Sequence, residues 1–240
     1  VKVEHVNPYD DKRNKTSQVE AMFDSIAPAY DFMNRAMTFG LDRLWLRALV
    51  KAVKRSGARE IVDMATGTGD VALALARRIP GTTLTGLDLS EGMLAKAREK
   101  ARGESVVFRQ ADCLTTGLPD NSVDAVTIAY GVRNYADIAA GYREMARILR
   151  PGGSVFVLEL STPVSPITKP LYKLYTRAVI PAVGRIISGD SRAYSYLPES
   201  IAAAPQRADM TAIMADAGLD DASFRSLSFG VCTLYTAKKH

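Results

Sequence analysis

At 240 residues, 47% of them hydrophobic and 24% charged, the chain suits one α/β unit that buries about 70–75% of its unfolded surface without cross-links. Its two cysteines, Cys113 and Cys232, are far apart and form neither a CxxC pair nor a His-bearing metal spacing, which argues against a disulfide framework and against structural zinc; no metal is expected. A formal charge of +5 is too small to dictate a nucleic-acid partner, and none is expected. No run approaches a membrane span of ~18 apolar residues and residues 1–9 lack a signal core, so a cytoplasmic protein is expected.

In chain order, residues 23–31 combine Phe23, Tyr30, Asp24 and Asp31 around Pro28, which interrupts a simple helix and leaves a lid or a packed leader open. From Leu41 to Val53, Leu41, Trp45, Ala48, Leu49, Ala52 and Val53 recur at helical spacing, with Gly57 as a stop signal. The middle then alternates: strand 60–65, helix 71–78, strand 83–88, helix 93–101, strand 106–110, strand 125–129, helix 138–149, strand 154–160. Such alternation predicts a mostly parallel sheet with helices on both faces and ligands beyond the carboxyl ends of the strands. An apolar, basic stretch follows at 171–187, then a helix at 208–217 and two closing strands within 224–237, divided near Gly230. A terminal antiparallel hairpin would complete seven strands. The chain reads as a single domain: a helical lid segment (1–57), a cofactor-binding βα core (58–160), a helical insert on the substrate side (161–218) and the hairpin (219–240).

Chemistry concentrates where the first strand turns into a helix. Asp63-Met64-Ala65-Thr66-Gly67-Thr68-Gly69-Asp70 sets two glycines where a ligand must approach backbone closely. With Ala72 the run also satisfies Gly-x-Gly-x-x-Ala, so alone it fits a dinucleotide site equally well. Asp88 closes the second strand nineteen positions after Gly69, where a carboxylate can accept both ribose hydroxyl protons; Leu89 follows it. Asp112-Cys113 at the third strand end offers a carboxylate for an adenine amino group and a backbone N–H for a ring nitrogen. Asp63, Ala65, Gly67, Thr68, Gly69, Asp88, Leu89, Asp112, Cys113 and Ala129 are the candidate cofactor residues. His5 and His240 lie at the ends of the chain and are poor candidates for acid–base work.

At this point the sequence resembles the ubiquinone/menaquinone biosynthesis C-methyltransferases, the UbiE/MenG family of class I S-adenosylmethionine-dependent enzymes. The resemblance rests on Phe23-Asp24-x-Ile26-Ala27-x-x-Tyr30-Asp31-x-Met33-Asn34, the glycine loop, Met93-Leu94 and Leu118-Pro119-Asp120-Asn121-Ser122-Val123-Asp124. It continues through Thr127-Ile128-Ala129-Tyr130-Gly131-Val132-Arg133-Asn134, Leu149-Arg150-Pro151-Gly152-Gly153 and Gly189-Asp190-x-x-x-Tyr194-x-Tyr196-Leu197-Pro198-Glu199-Ser200-Ile201. It implies a Rossmann-like fold and S-adenosylmethionine as cofactor, with Thr68, Asp88, Asp112, Cys113 and Ala129 on cofactor contacts. Three positions depart from the family's habit: Cys113-Leu114 for Ala-Glu, Tyr235 for a His, and Val132 for Leu.

The implied reaction is methylation of a ring carbon of a prenylated hydroquinone, demethylmenaquinol or a ubiquinol precursor. A methyltransferase for another lipophilic phenol and an NAD(P)-linked oxidoreductase are the alternatives. A phenol with a pKa of ~10 is only ~0.1% ionised at neutral pH, so the site must favour the phenolate. Arg133, with Asn134 beside it, is the candidate to do so. Tyr30, with Asp31 or Asp24, is the candidate to close over the ring. The segment 169–187, with Lys169, Lys173, Arg177 and Arg185 among apolar residues, is expected to make peripheral contact with the inner face of a membrane, where a prenylated quinol resides. Homo-oligomerisation is left open.

Overall fold

The computed structural model describes residues 2–9, 11–176 and 191–240. Helices α1 (Lys15–Ile26) and α2 (Tyr30–Met37) are separated at Pro28, and α3 (Asp42–Ser56) ends at Gly57 in the left-handed region with φ 76°. The core follows as β1 (Glu60–Met64), α4 (Asp70–Arg78), β2 (Thr83–Asp88), α5 (Glu91–Lys100), β3 (Val106–Gln110), β4 (Val123–Ala129), α6 (Ile138–Ile148) and β5 (Leu149–Leu160). Beyond it lie α7 (Thr168–Leu174), α8 (Ser191–Ala203), α9 (Ala208–Asp216), β6 (Asp220–Leu227) and β7 (Cys232–Lys238). Local capping sets several starts: Asn14, Ser90 and Asp137 each accept a backbone N–H from the first turn of α1, α5 and α6.

The seven strands run in the order β3-β2-β1-β4-β5-β7-β6, with β7 antiparallel to both neighbours and the rest parallel. Alternate residues feed opposite faces of the sheet. Val62, Met64, Val126, Ile128, Val155 and Val157 pack under α6 and α9, whereas Ile61, Ala125, Phe156 and Leu158 pack under α3 and α4 through Trp45, Leu49, Val53 and Leu75. Fully burying each such side chain contributes about 1.5–3 kcal/mol. A third cluster joins Met22 and Ile26 of α1 to Met33 of α2, Met93 of α5 and Tyr196 of α8, so the leader is packed over the carboxyl ends of the strands rather than detached.

Three strands start earlier than their hydrophobic pattern predicts, β4 by two residues at Val123 and two others by more. β5 begins at Leu149 because Arg150-Pro151-Gly152-Gly153 is carried into the sheet, Leu149 pairing with Val123 before a register shift. β6 begins at Asp220 because it is an edge strand whose residues are mostly exposed, so the apolar signal is missing there.

Candidate active site

β1 and β4 are neighbours, and each is followed by a non-glycine residue in the left-handed region, Ala65 at φ 49° and Tyr130 at φ 60°. Backbone strain of this kind persists only where packing imposes it. Packing does so here, since a Cβ on Gly131 would stand 2.8 Å from that of Ala65. Below the turn, Asp63 is buried and accepts the hydroxyls of Thr66 and Thr127, each at 2.6 Å. Burial pushes its carboxyl up to about 6, against the pull of those hydrogen bonds.

The two glycines of the loop do different work. Gly67, at φ 55°, faces open space in which the nearest group to an added Cβ is the Tyr30 ring at 3.9 Å. Gly69, at φ 82°, is packed against the other side, where a Cβ would meet Phe108 at 2.9 Å and Ala97 at 3.1 Å. The expectation that both admit a ligand is therefore corrected for Gly69, whose lack of a side chain lets α4 and α5 close on the sheet. Asp63 is likewise a brace beneath the loop, with each carboxylate oxygen engaged by a threonine.

A small cavity of about 70 Å³ is bordered by Asp88, Leu89, Asp112 and Cys113 together with Ala65, Gly67 and Ala129. The Asp88 carboxylate is held by the Gly67 N–H at 2.7 Å and the Ser90 N–H at 2.9 Å; burial raises its pKa in spite of them. Each oxygen keeps a lone pair for a ligand hydroxyl, and Gly67 leaves room beside it, so this edge suits a ribose. Asp112 caps the following turn through the Leu114 N–H at 2.8 Å. Cys113 is buried, accepts the Ala65 N–H at 3.2 Å and has its thiol pushed up to about 12 by burial, so it is an apolar wall and not a nucleophile.

The small cavity adjoins a larger one of about 440 Å³, both being lined by Phe23, Tyr30, Ala65, Gly67, Tyr130 and Asn134. Met33, Met37, Trp45, Leu158, Leu160 and Ile201 give the larger chamber its apolar character. Arg133 enters it from a 3-10 turn, Val132–Asn134, just after β4, and is only 6% exposed. It donates to Glu159 of β5 at 2.7 Å and to the Tyr130 carbonyl. Burial opposes its charge, but Glu159 and the facing Tyr30 and Tyr196 outweigh that and keep the guanidinium protonated. Asn134 accepts the Tyr196 hydroxyl at 3.1 Å. Tyr30 remains a neutral phenol, because burial raises its pKa.

Two carboxylates expected near the ring are engaged by other groups. Asp24 lines neither cavity and binds Ser90 Oγ at 2.5 Å and the Gly92 N–H at 3.1 Å, docking α1 on the start of α5. Asp31 accepts Thr68 Oγ1 at 2.5 Å and Lys100 Nζ at 2.8 Å, tying α2 to the glycine loop instead of presenting a base. Asp24 is thereby corrected as a partner of Tyr30, whereas Asp31 lines the larger chamber beside it. Sequence reasoning missed Glu159, Lys100 and Lys15, whose buried Nζ reaches the carbonyls of Val3 at 2.5 Å and of Arg133 at 3.4 Å; no motif signals them. Arg177, Arg185, Gly189 and Asp190 lie outside the described residues, as do the side chains of Lys173 and Tyr194.

The sequence profile of the ubiE/COQ5 methyltransferase family matches residues 11–239. The chain belongs to that family. It is 42% identical to a demethylmenaquinone methyltransferase of Bacteroides fragilis, over 98% of both chains. It is also 42% identical to the ubiquinone/menaquinone biosynthesis C-methyltransferase UbiE of Geobacter sulfurreducens, over 94% of this chain and 90% of that one. The fold matches a solved S-adenosylmethionine-dependent methyltransferase of Thermotoga maritima with a TM-score of 0.62 at 18% identity, covering 92% and 99% of the two chains. Another, from Aquifex aeolicus, matches at a TM-score of 0.59 and 18% identity over 81% and 91%. The chain is thus an S-adenosylmethionine-dependent methyltransferase with the Rossmann-like sheet of its class, and the oxidoreductase alternative falls.

Proposed function

We propose that the chain methylates a ring carbon of a prenylated hydroquinone, demethylmenaquinol or the corresponding ubiquinol precursor. The observation that carries this reading is a buried, protonated Arg133 in a largely apolar chamber that adjoins the small cavity bordered by Asp88 and Asp112. A lipophilic ring fills such a chamber, and the guanidinium supplies what a phenolic carbon nucleophile requires. The names of the relatives support the choice of quinol.

S-adenosylmethionine, when bound, supplies an electrophilic methyl group on sulfur. Asp88, Asp112 and the backbone around Gly67 and Thr68 would hold it, with Leu89, Cys113 and Ala129 packing against it. Arg133 stabilises the phenolate: an adjacent guanidinium lowers a phenol's pKa by ~1–3 units and raises the ionised fraction by the same number of decades. Glu159 moderates that effect, since the paired guanidinium carries less net field, while fixing the direction in which its remaining N–H groups point. Tyr30 and Asn134 border the junction of the two cavities and set the ring's orientation, a positioning contribution. The ring carbon would take the methyl with electrons released from the phenolate oxygen as the methyl–sulfur bond breaks and leaves its pair on sulfur, and would then lose its hydrogen as a proton to water, restoring aromaticity.

The substrate's tail places the meeting point at a bilayer, because each buried CH₂ contributes about 0.8 kcal/mol to membrane residence. No helix of the described residues is long and apolar enough to cross a membrane, so contact would be peripheral. Phe39, Leu171 and Phe229 border the chamber yet are 78%, 66% and 85% exposed, an apolar rim of the kind a lipid surface covers. Residues 161–189 contain Lys169, Lys173, Arg177 and Arg185 and no Asp or Glu, which suits anionic headgroups. Transfer of labelled methyl from S-adenosylmethionine to the reduced, prenylated ring tests the proposal; a bound cofactor without product on any such ring defeats it.

A further inference from the structure

Three residues that line the larger chamber each carry a buried side-chain atom without a hydrogen-bond partner: Arg133 at Nε, Tyr130 at Oη and Thr168 at Oγ1. Tyr135 and Tyr142 carry the other such hydroxyls among the described residues, and neither lines this chamber. A buried donor without a partner is costly, and a protein keeps one where a ligand completes it. Thr168 belongs to α7, whereas Arg133 and Tyr130 come from one turn, the guanidinium folding back on the Tyr130 carbonyl.

Tyr130 is held at φ 60°, an uncommon conformation for a bulky residue, and its ring meets that of Trp45 edge-on at 6.4 Å. A phenylalanine would make the same apolar contacts. The hydroxyl has no hydrogen-bond partner in the protein, and Tyr130 lines the chamber together with Arg133, whose Nε likewise has none. Two unpartnered donors on residues of one turn suit a ring bearing two oxygens.

Resting on the hydroquinone reading, we propose that Tyr130 is a substrate-binding residue whose hydroxyl holds the ring oxygen remote from the accepting carbon, while Arg133 Nε donates to the oxygen beside that carbon. The pair makes the chamber selective for rings with two oxygens over those with one. Tyr130 acts as a neutral donor, since burial raises its pKa well above the ordinary tyrosine value. Division of labour follows: Arg133 bears on the rate, Tyr130 on recognition.

The test crosses Tyr130→Phe with two substrates, the reduced prenylated ring and the same ring lacking the remote hydroxyl. Binding is read from the fluorescence of Trp45, the single tryptophan, which lines the chamber, and turnover from methyl transfer. On the dihydroxy ring the variant should bind about tenfold more weakly, as expected for loss of one buried hydrogen bond, with kcat and cofactor affinity unchanged. On the monohydroxy ring wild type should itself bind about tenfold more weakly, and the variant should equal it. Equal impairment of the variant on both rings, or on neither, overturns the assignment. Failure of wild type to methylate either ring, with the binding pattern intact, overturns the methylation reading and leaves the ring contact standing.

Discussion

The buried pair of Arg133 and Glu159 decides how the site responds to mutation. Removing one member of such a pair strands the other charge and costs about 3–5 kcal/mol, whereas replacing both with apolar residues of similar volume is close to neutral. Arg133→Ala should therefore lower the unfolding free energy by that amount as well as lower turnover, and activity loss alone would not define its role. The double replacement Arg133→Leu, Glu159→Leu should restore stability in urea unfolding and retain cofactor affinity while methyl transfer stays at least tenfold to a thousandfold down, the range of an arginine's effect on a phenol. Recovery of turnover in the double variant would show that Arg133 serves only the fold. Arg133 is visible in the sequence through the motif around it. Glu159 is not: it lies 26 residues away in an apolar strand, and only the register of β4 against β5 brings the two together.

At the scale of elements, the lid is held by short polar links. Asp31 of α2 meets Thr68 at 2.5 Å and Lys100 at 2.8 Å, and Lys100 also bonds Thr68 at 3.0 Å and Asp70 of α4. From the other side, the Tyr175 hydroxyl donates to the Met37 carbonyl. Lys100 and Asp31 are partly exposed, at 29% and 36%, so their pair contributes only about 0.2–1 kcal/mol to stability. Lys100→Met should thus leave the melting temperature nearly unchanged while cofactor dissociation, followed by stopped flow, speeds up severalfold; an unchanged off-rate would show that α2 does not gate the cofactor. The core strands were legible because strands buried on both faces read as unbroken apolar runs. The division of the leader at Pro28 was legible for a similarly local reason. The links of Asp31 were not, because an acid beside an aromatic reads as a catalytic neighbour until the tertiary fold shows which cation it faces.

For the whole molecule, the order of the sheet puts both cavities at one edge, beyond the carboxyl ends of β1, β2 and β4, with the apolar rim around the larger one. Phe39 and Phe229, the latter at φ 59°, project from separate turns on that rim. Phe39→Ser with Phe229→Ser should reduce flotation with anionic vesicles while S-adenosylmethionine affinity, the control, holds; equal flotation of the two proteins would exclude the rim as the membrane contact. The βα alternation and the closing antiparallel pair follow the residue pattern, but the rim is assembled from residues far apart in sequence and has no linear signature. The central claim is tested most directly by giving the purified protein methyl-labelled S-adenosylmethionine with reduced demethylmenaquinone and, in parallel, with a short-chain ubiquinol precursor lacking its ring methyl. Label on a ring carbon of at least one of them is the predicted result; label on oxygen, or none with cofactor bound, would contradict it.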